Sequence, residues 1–129
     1  MIDVACAIII KDNKILVVQR SEQMKLPLKW EFPGGKIEEN ETAENCIKRE
    51  IKEELNIEIE VELKIDNGEF DYGMFSIKLY PFIAKYLKGE LILAEHKAFK
   101  WLRKDELKGL DWAAADMPVL ENFLNVYHD

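Results

Sequence analysis

Apolar residues recur at two different spacings along this chain, and the changes between them mark its elements. Residues 4–10 and 15–19 are apolar runs of strand length on either side of Asp12-Asn13, which predicts a β-hairpin. Residues 21–29 are polar and broken by Pro27, so a loop is expected. Trp30-Glu31-Phe32 forms a short apolar approach to Pro33-Gly34-Gly35, a turn signal. Helical spacing then runs from about Thr42 to Leu55. Asn40 and Thr42 are candidate N-caps, and Glu41 and Glu44 suit the positive end of the helix dipole. Residues 57–66 alternate, with Ile57, Ile59, Val61, Leu63 and Ile65 on one face and Glu58, Glu60, Glu62 and Lys64 on the other, the pattern of a half-exposed strand. Asn67-Gly68 opens a turn region. Residues 74–86 have strand character, with Pro81 suggesting an edge or a bulge. Residues 91–93 and 99–102 read as further short strands. Residues 117–127 return to helical spacing, with Val119, Leu120, Phe123 and Leu124 as the apolar face. Strands, helix, strands, helix in that order predict an α+β fold, a mixed β-sheet between α-helices, rather than a regular doubly wound one.

The first helix has an unusual charge pattern. Residues seven apart nearly coincide on a helical wheel, so Glu50 falls below Ala43, and Glu53 and Glu54 fall below Cys46 and Ile47. Lys48 and Lys52 project from the far side. The inward face therefore begins apolar and ends acidic. Glu50 neighbours Glu53 at i,i+3 and Glu54 at i,i+4, and each such like-charge pair costs ~0.2–0.5 kcal/mol even in solvent. Burial raises that cost. A solvated Glu/Lys helix is the ordinary alternative. Hard oxygen ligands gathered in this way also suit Mg²⁺ or Mn²⁺, held by a few carboxylates together with substrate phosphates. The preceding glycines let backbone approach a ligand closely, and Gly35 can offer its carbonyl to a cation.

Length and composition narrow the function. A chain of 129 residues, nearly half of them apolar, makes one domain with a real core. A net charge of −7 argues against a DNA or RNA polymer as partner, which would need a basic patch. It leaves a nucleotide substrate open, because bound metal can neutralise phosphate. Cys6 and Cys46 give no disulfide framework and fit a reducing compartment. No leader sequence and no apolar run of membrane-spanning length is seen, so a soluble, cytoplasmic protein is expected.

Residues 35–57 resemble the Nudix box, G-x5-E-x7-R-E-U-x-E-E-x-G-U with U aliphatic, through Gly35, Glu41, Arg49, Glu50, Ile51, Glu53, Glu54 and Ile57. Asn56 stands where the family has glycine. That glycine ends the helix in a left-handed conformation, which Asn tolerates best among the other residues. The stretch from Trp30 to Glu38 and the segment Ala114-Ala115-Asp116-Met117-Pro118 also resemble the MutT branch of the family. The resemblance implies a Nudix fold over a single domain, 1–129. It implies Mg²⁺-dependent hydrolysis, with Mn²⁺ as a substitute, of 8-oxo-dGTP or a related nucleoside triphosphate to the monophosphate and pyrophosphate, by a monomer or homodimer. A (d)CTP or modified-dCTP pyrophosphohydrolase is the alternative, and a nucleotide-sensing Nudix module, whose like typically lose a box carboxylate that this chain keeps, is the non-enzyme one.

Site roles implied by the same resemblance place metal on Gly35, Glu50, Glu53, Glu54 and Glu95. Glu53 or Glu50 orients or deprotonates the attacking water, Lys36 neutralises phosphate charge, and Glu95 is a further ligand or base. Arg49 and Glu41 form a structural pair. Arg20, Phe32, Phe75 and Asp116 lie near the nucleotide. Asp116 is also a good helix N-cap by position, two residues before Pro118.

Overall fold

The structure, a computed structural model, describes residues 1–127. In chain order the elements are β1 (Ile2–Lys11), β2 (Lys14–Gln19), β3 (Trp30–Glu31), β4 (Gly34–Lys36), α1 (Ala43–Leu55), β5 (Glu58–Lys64), β6 (Gly68–Asp71), β7 (Ser76–Lys88), β8 (Ala98–Leu102), a 3-10 helix (Lys104–Gly109) and α2 (Asp116–Val126). The strands form one mixed sheet with the path β3-β2-β1-β7-β5; β4 adds to β1, β6 to β7 and β8 to β2. β1 and β7 run parallel, and the other pairs are antiparallel.

Alternation within the buried strands feeds two separate cores. Ala5, Ala7, Ile9, Leu16, Val18 and Ala84 pack with Cys46, Ile47, Ile51 and Leu55 of α1. Cys6, Ile8, Ile15, Val17 and Leu79 pack on the opposite face with Leu107 and with Val119, Leu120 and Phe123 of α2. The sheet thus lies between helices, as the element order predicted. Asp12 and Asn13 both have positive φ (51° and 63°), the two-residue hairpin turn expected of that dipeptide.

Helix α1 ends as its sequence implies. Thr42 is the N-cap, its hydroxyl accepting from Asn45 N–H at 3.1 Å, whereas Asn40 lies outside the helix. Asn56 is left-handed (φ 61°), and its side-chain amide donates to Glu90 O at 3.1 Å.

Other expectations need correction. Residues 91–93 form no strand. Ile92 N–H and Ala94 N–H donate to Leu55 O and Glu54 O, so this segment satisfies the last carbonyls of α1. Residues 68–71, read as the continuation of a turn, form β6 and pair with β7. The alternation of residues 57–66 breaks at a register shift between Val61 and Leu63, which leaves Leu63 54% exposed. Pro81 sits in a central strand rather than at an edge. It falls in the gap where the partner of β7 changes from β6, ending opposite Leu79, to β5, beginning opposite Phe82. Asp116 begins α2, but its side chain makes no cap there.

Pro33-Gly34-Gly35 was read as a turn, yet Gly34–Lys36 is a strand against β1, and neither glycine has positive φ. Their smallness serves close approach. A β-carbon on Gly34 would lie 2.0 Å from Ala5 O, and one on Gly35 would lie 2.2 Å from the Glu50 carboxyl carbon. Gly34→Ala should therefore cost at least about 3 kcal/mol and lower Tm by roughly 10 °C or more, while Gly109→Ala, with open space around it, should be nearly neutral. Thermal unfolding of the two variants checks this; a stable Gly34→Ala protein would contradict the packing.

The loop before α1 is tied to it by Arg49, whose Nε and Nη2 reach the two Glu41 carboxylate oxygens at 2.7 and 3.0 Å. That hydrogen bond, with a second from Glu38 N–H, holds the Glu41 carboxyl down from 4.5 to about 2. The folded value lies below the unfolded one, so the stabilisation is complete above pH 4.5 and is lost as pH falls towards 2. Urea unfolding across that window should show the wild type losing more stability than Glu41→Gln. Parallel losses would contradict the linkage.

Candidate active site

A cavity of about 530 Å³ opens between β1, β4, α1 and the β6–β7 hairpin, within the usual size of a small-molecule site. Its acidic end is lined by Glu50, Glu54 and Glu95, with Gly35 and Lys36 beside them. Its other end is lined by Phe32, Tyr72, Phe75, Cys6 and Asp116, and Arg20, Glu31 and His96 join the two.

The acidic end is built by α1 crossing β4 at Gly35. Burial raises the Glu50 carboxyl against the opposing pull of Arg49, which donates to it at 2.9 Å. The Glu54 carboxyl is raised first by burial and then by Glu95 and Glu50. Glu54 Oε2 is buried and has no hydrogen-bond partner among the described residues. Glu53 departs from the wheel: its side chain is 57% exposed, does not line the cavity, and accepts from Arg49 at 3.1 Å. Arg49 thus serves Glu50 and Glu53 as well as Glu41. Cys46 closes the other side, its thiol donating to Lys36 O at 3.3 Å, and burial pushes that thiol up to about 12.

An all-oxygen donor set with one orphaned carboxylate oxygen fits a hard divalent cation. As the side chains stand, no three His, Cys, Asp or Glu side chains among the described residues converge on one point at ligand distance. The residues fit such an ion by donor type, and Glu54 supplies the oxygen without a protein partner.

At the far end Asp116 is 5% exposed, and its Oδ2 accepts from Phe32 N–H at 2.9 Å. Burial, then the nearby Glu31 carboxylate, pushes its carboxyl well above the usual range. The Phe32 ring rests on Trp112, with centroids 4.8 Å apart, and Phe75 stacks on Tyr72. Arg20 is engaged elsewhere: Nη1 donates to Glu31 Oε1 at 2.9 Å and Nε to Lys25 O at 2.5 Å. The Lys36 ammonium has no ion pair or hydrogen bond among the described residues.

Glu31, His96 and Tyr72 were not singled out in the sequence. Glu31 Oε2 is 2.9 Å from His96 Nε2, a contact between residues far apart in the chain. A carboxylate between two aromatic residues in Trp30-Glu31-Phe32, and a histidine directly after Glu95, were the available signals.

Comparison with known proteins agrees with this geometry. The NUDIX domain family matches residues 1–123. The CTP pyrophosphohydrolase of Escherichia coli K12 is 36% identical over 124 residues, covering 96% of this chain and 92% of that protein. An 8-oxo-dGTP diphosphatase of Buchnera aphidicola from Schizaphis graminum is 33% identical, covering 93% of this chain and 91% of its own. The solution structure of the E. coli ORF135 protein superposes with a TM-score of 0.86 at 36% identity, covering 98% of this chain and 90% of that one. With the glycine-backed acidic helix, the mixed sheet between helices and this match in agreement, the chain belongs to the NUDIX domain family and is a hydrolase of that family.

Proposed function

We propose that the protein is a divalent-cation-dependent nucleoside triphosphate pyrophosphohydrolase acting on 8-oxo-dGTP or a related damaged triphosphate. The observation that carries this is one continuous cavity with carboxylates at one end and an aromatic-lined, buried Asp116 at the other. Such a cavity matches a molecule that is polyanionic at one end and a flat heterocycle at the other. Names of relatives point the same way: one is called an 8-oxo-dGTP diphosphatase, another a CTP pyrophosphohydrolase.

In this reading Glu50, Glu54 and Glu95, with the Gly35 carbonyl, hold Mg²⁺ or Mn²⁺. Glu53 sits at the rim, where leaving Arg49 would let it join them or act on water. A cation held by these residues would neutralise phosphate charge and acidify water. Water attacks the β-phosphorus, the bond from that phosphorus to the α–β bridging oxygen breaks, and the nucleoside monophosphate departs with that oxygen. The Lys36 ammonium is free to meet phosphate charge, and Phe32 and Phe75 flank the base. The reaction needs positioning and charge stabilisation more than covalent help. Arg20 contributes by holding Glu31. Two buried, unpaired cysteines suit work in a reducing cytoplasm, as a monomer or homodimer. Among the described residues no helix is long and apolar enough to cross a membrane.

Asp116 distinguishes two substrates. A protonated carboxyl offers one donor and one acceptor. That complements O6 and the protonated N7 of 8-oxoguanine and mismatches ordinary guanine, which shows two acceptors on that edge. Burial beside Glu31 favours this form. An ionised Asp116 would accept from cytosine N4, which supports the second reading, a (d)CTP pyrophosphohydrolase. Pyrophosphate release from a panel of triphosphates with Mg²⁺ separates them. The expected result is kcat/KM for 8-oxo-dGTP at least about tenfold above dGTP and dCTP, the value of one matched hydrogen bond. Faster turnover of dCTP or its analogues would transfer the assignment to the second reading, and no pyrophosphate from any triphosphate would sink both.

A further inference from the structure

The tip of the β6–β7 hairpin carries an aromatic row that the reaction itself does not require. The Tyr72 ring stacks on Phe75, with centroids 5.0 Å apart and planes 25° apart, and meets Phe70 edge-on at 4.7 Å. Tyr72 and Phe75 both line the cavity. The Tyr72 hydroxyl oxygen accepts from Ala115 N–H at 2.9 Å. Ala115 is the N-cap of α2 and has no side-chain cap bond, so Tyr72 supplies the hydrogen bond at that position. Asp116 follows directly, and Phe32 N–H donates to its carboxyl at Oδ2. Asp116 Oδ1 makes no hydrogen bond among the described residues, which leaves it for a ligand.

Ring stacking tolerates sliding, whereas a hydrogen bond fixes distance and direction. The hydroxyl of Tyr72 is therefore the cross-tie that holds the hairpin wall at a set separation from the start of α2. We propose that Tyr72 is a positioning residue for base selection: by tying the hairpin to Ala115 it fixes the gap between Phe75 and the Asp116 carboxyl, and so determines which base is accepted. This rests on the nucleotide reading above. Asn122 Nδ2 donating to Asp66 O at 3.2 Å and the packing of Gly68 on Val119 hold the base of the hairpin to α2; without the Tyr72 tie its tip is held by stacking, and bases that the wild type rejects gain entry.

Tyr72→Phe keeps the ring and removes only the bond. Three measurements judge it: amide exchange at Ala115, dissociation constants for 8-oxo-dGMP, dGMP and dCMP, and kcat and KM for the matching triphosphates. Ala115 exchange should quicken by about tenfold. The spread between best-bound and worst-bound monophosphate should narrow by roughly fivefold or more, with the loss of the preferred substrate falling mainly on KM, while Tm falls by no more than about 4 °C. Base discrimination preserved within about twofold would overturn the proposal, and so would a uniform loss across all bases in step with lost stability, the mark of a merely structural tyrosine. If the wild type turns over no triphosphate, the function reading fails, while the monophosphate constants still decide the role of Tyr72. Wild-type protein that binds the three monophosphates without preference overturns it as well.

Discussion

At Gly35 the backbone of β4 runs so close to α1 that the Glu50 carboxyl occupies the space a side chain would take. Much else follows from that contact. It brings a strand carbonyl beside the acidic half of the helix. It forces Glu50 to be partly buried, which raises its carboxyl. It also requires Gly34 to sit against Ala5 O, so that β4 can pair with β1 at all.

The cost of the arrangement is electrostatic, and one guanidinium offsets part of it. Arg49 donates to Glu41, Glu50 and Glu53, coupling the loop before α1 to two members of the acidic cluster. Glu54 receives no such help, and its Oε2 is buried without a partner. A single unpaired carboxylate oxygen at the mouth of a cavity is a poor contribution to stability and a good one to cation binding. The cavity and the scaffold therefore make opposite demands on α1, and Arg49 reconciles them while leaving Glu54 unbonded.

Much of this was legible in the sequence because it depended on local rules. Asp12-Asn13 specified its hairpin and Asn56 its left-handed helix end, since both rest on backbone preferences of single residues. The acidic face was visible from helical spacing, but spacing alone placed Glu53 inward, whereas that side chain is exposed two turns beyond the buried Cys46. Gly34 and Gly35 carry a turn signal and allow close approach to a ligand; that the close approach is to β1 and to Glu50 of α1 appears only once those elements are in place. Residues 91–93 resemble a short strand because they are a run of three apolar residues, yet the N–H groups of Ile92 and of Ala94 just beyond serve the end of α1. The Glu31–His96 pair and the Tyr72–Ala115 bond join distant segments and leave no local signature.

The strain on the acidic face of α1 is explained if that face is kept for a divalent cation. Thermal unfolding of the wild type and Glu54→Gln, with Mg²⁺ or Mn²⁺ titrated in, tests it most directly. A cation that binds only the folded state must raise Tm progressively with its concentration. That rise is expected in the wild type and is expected to be lost in Glu54→Gln. The metal-free variant should be at least as stable as the wild type, because an unpaired buried charge has been removed. A wild-type Tm indifferent to both cations, or an equal rise in the variant, would contradict that explanation.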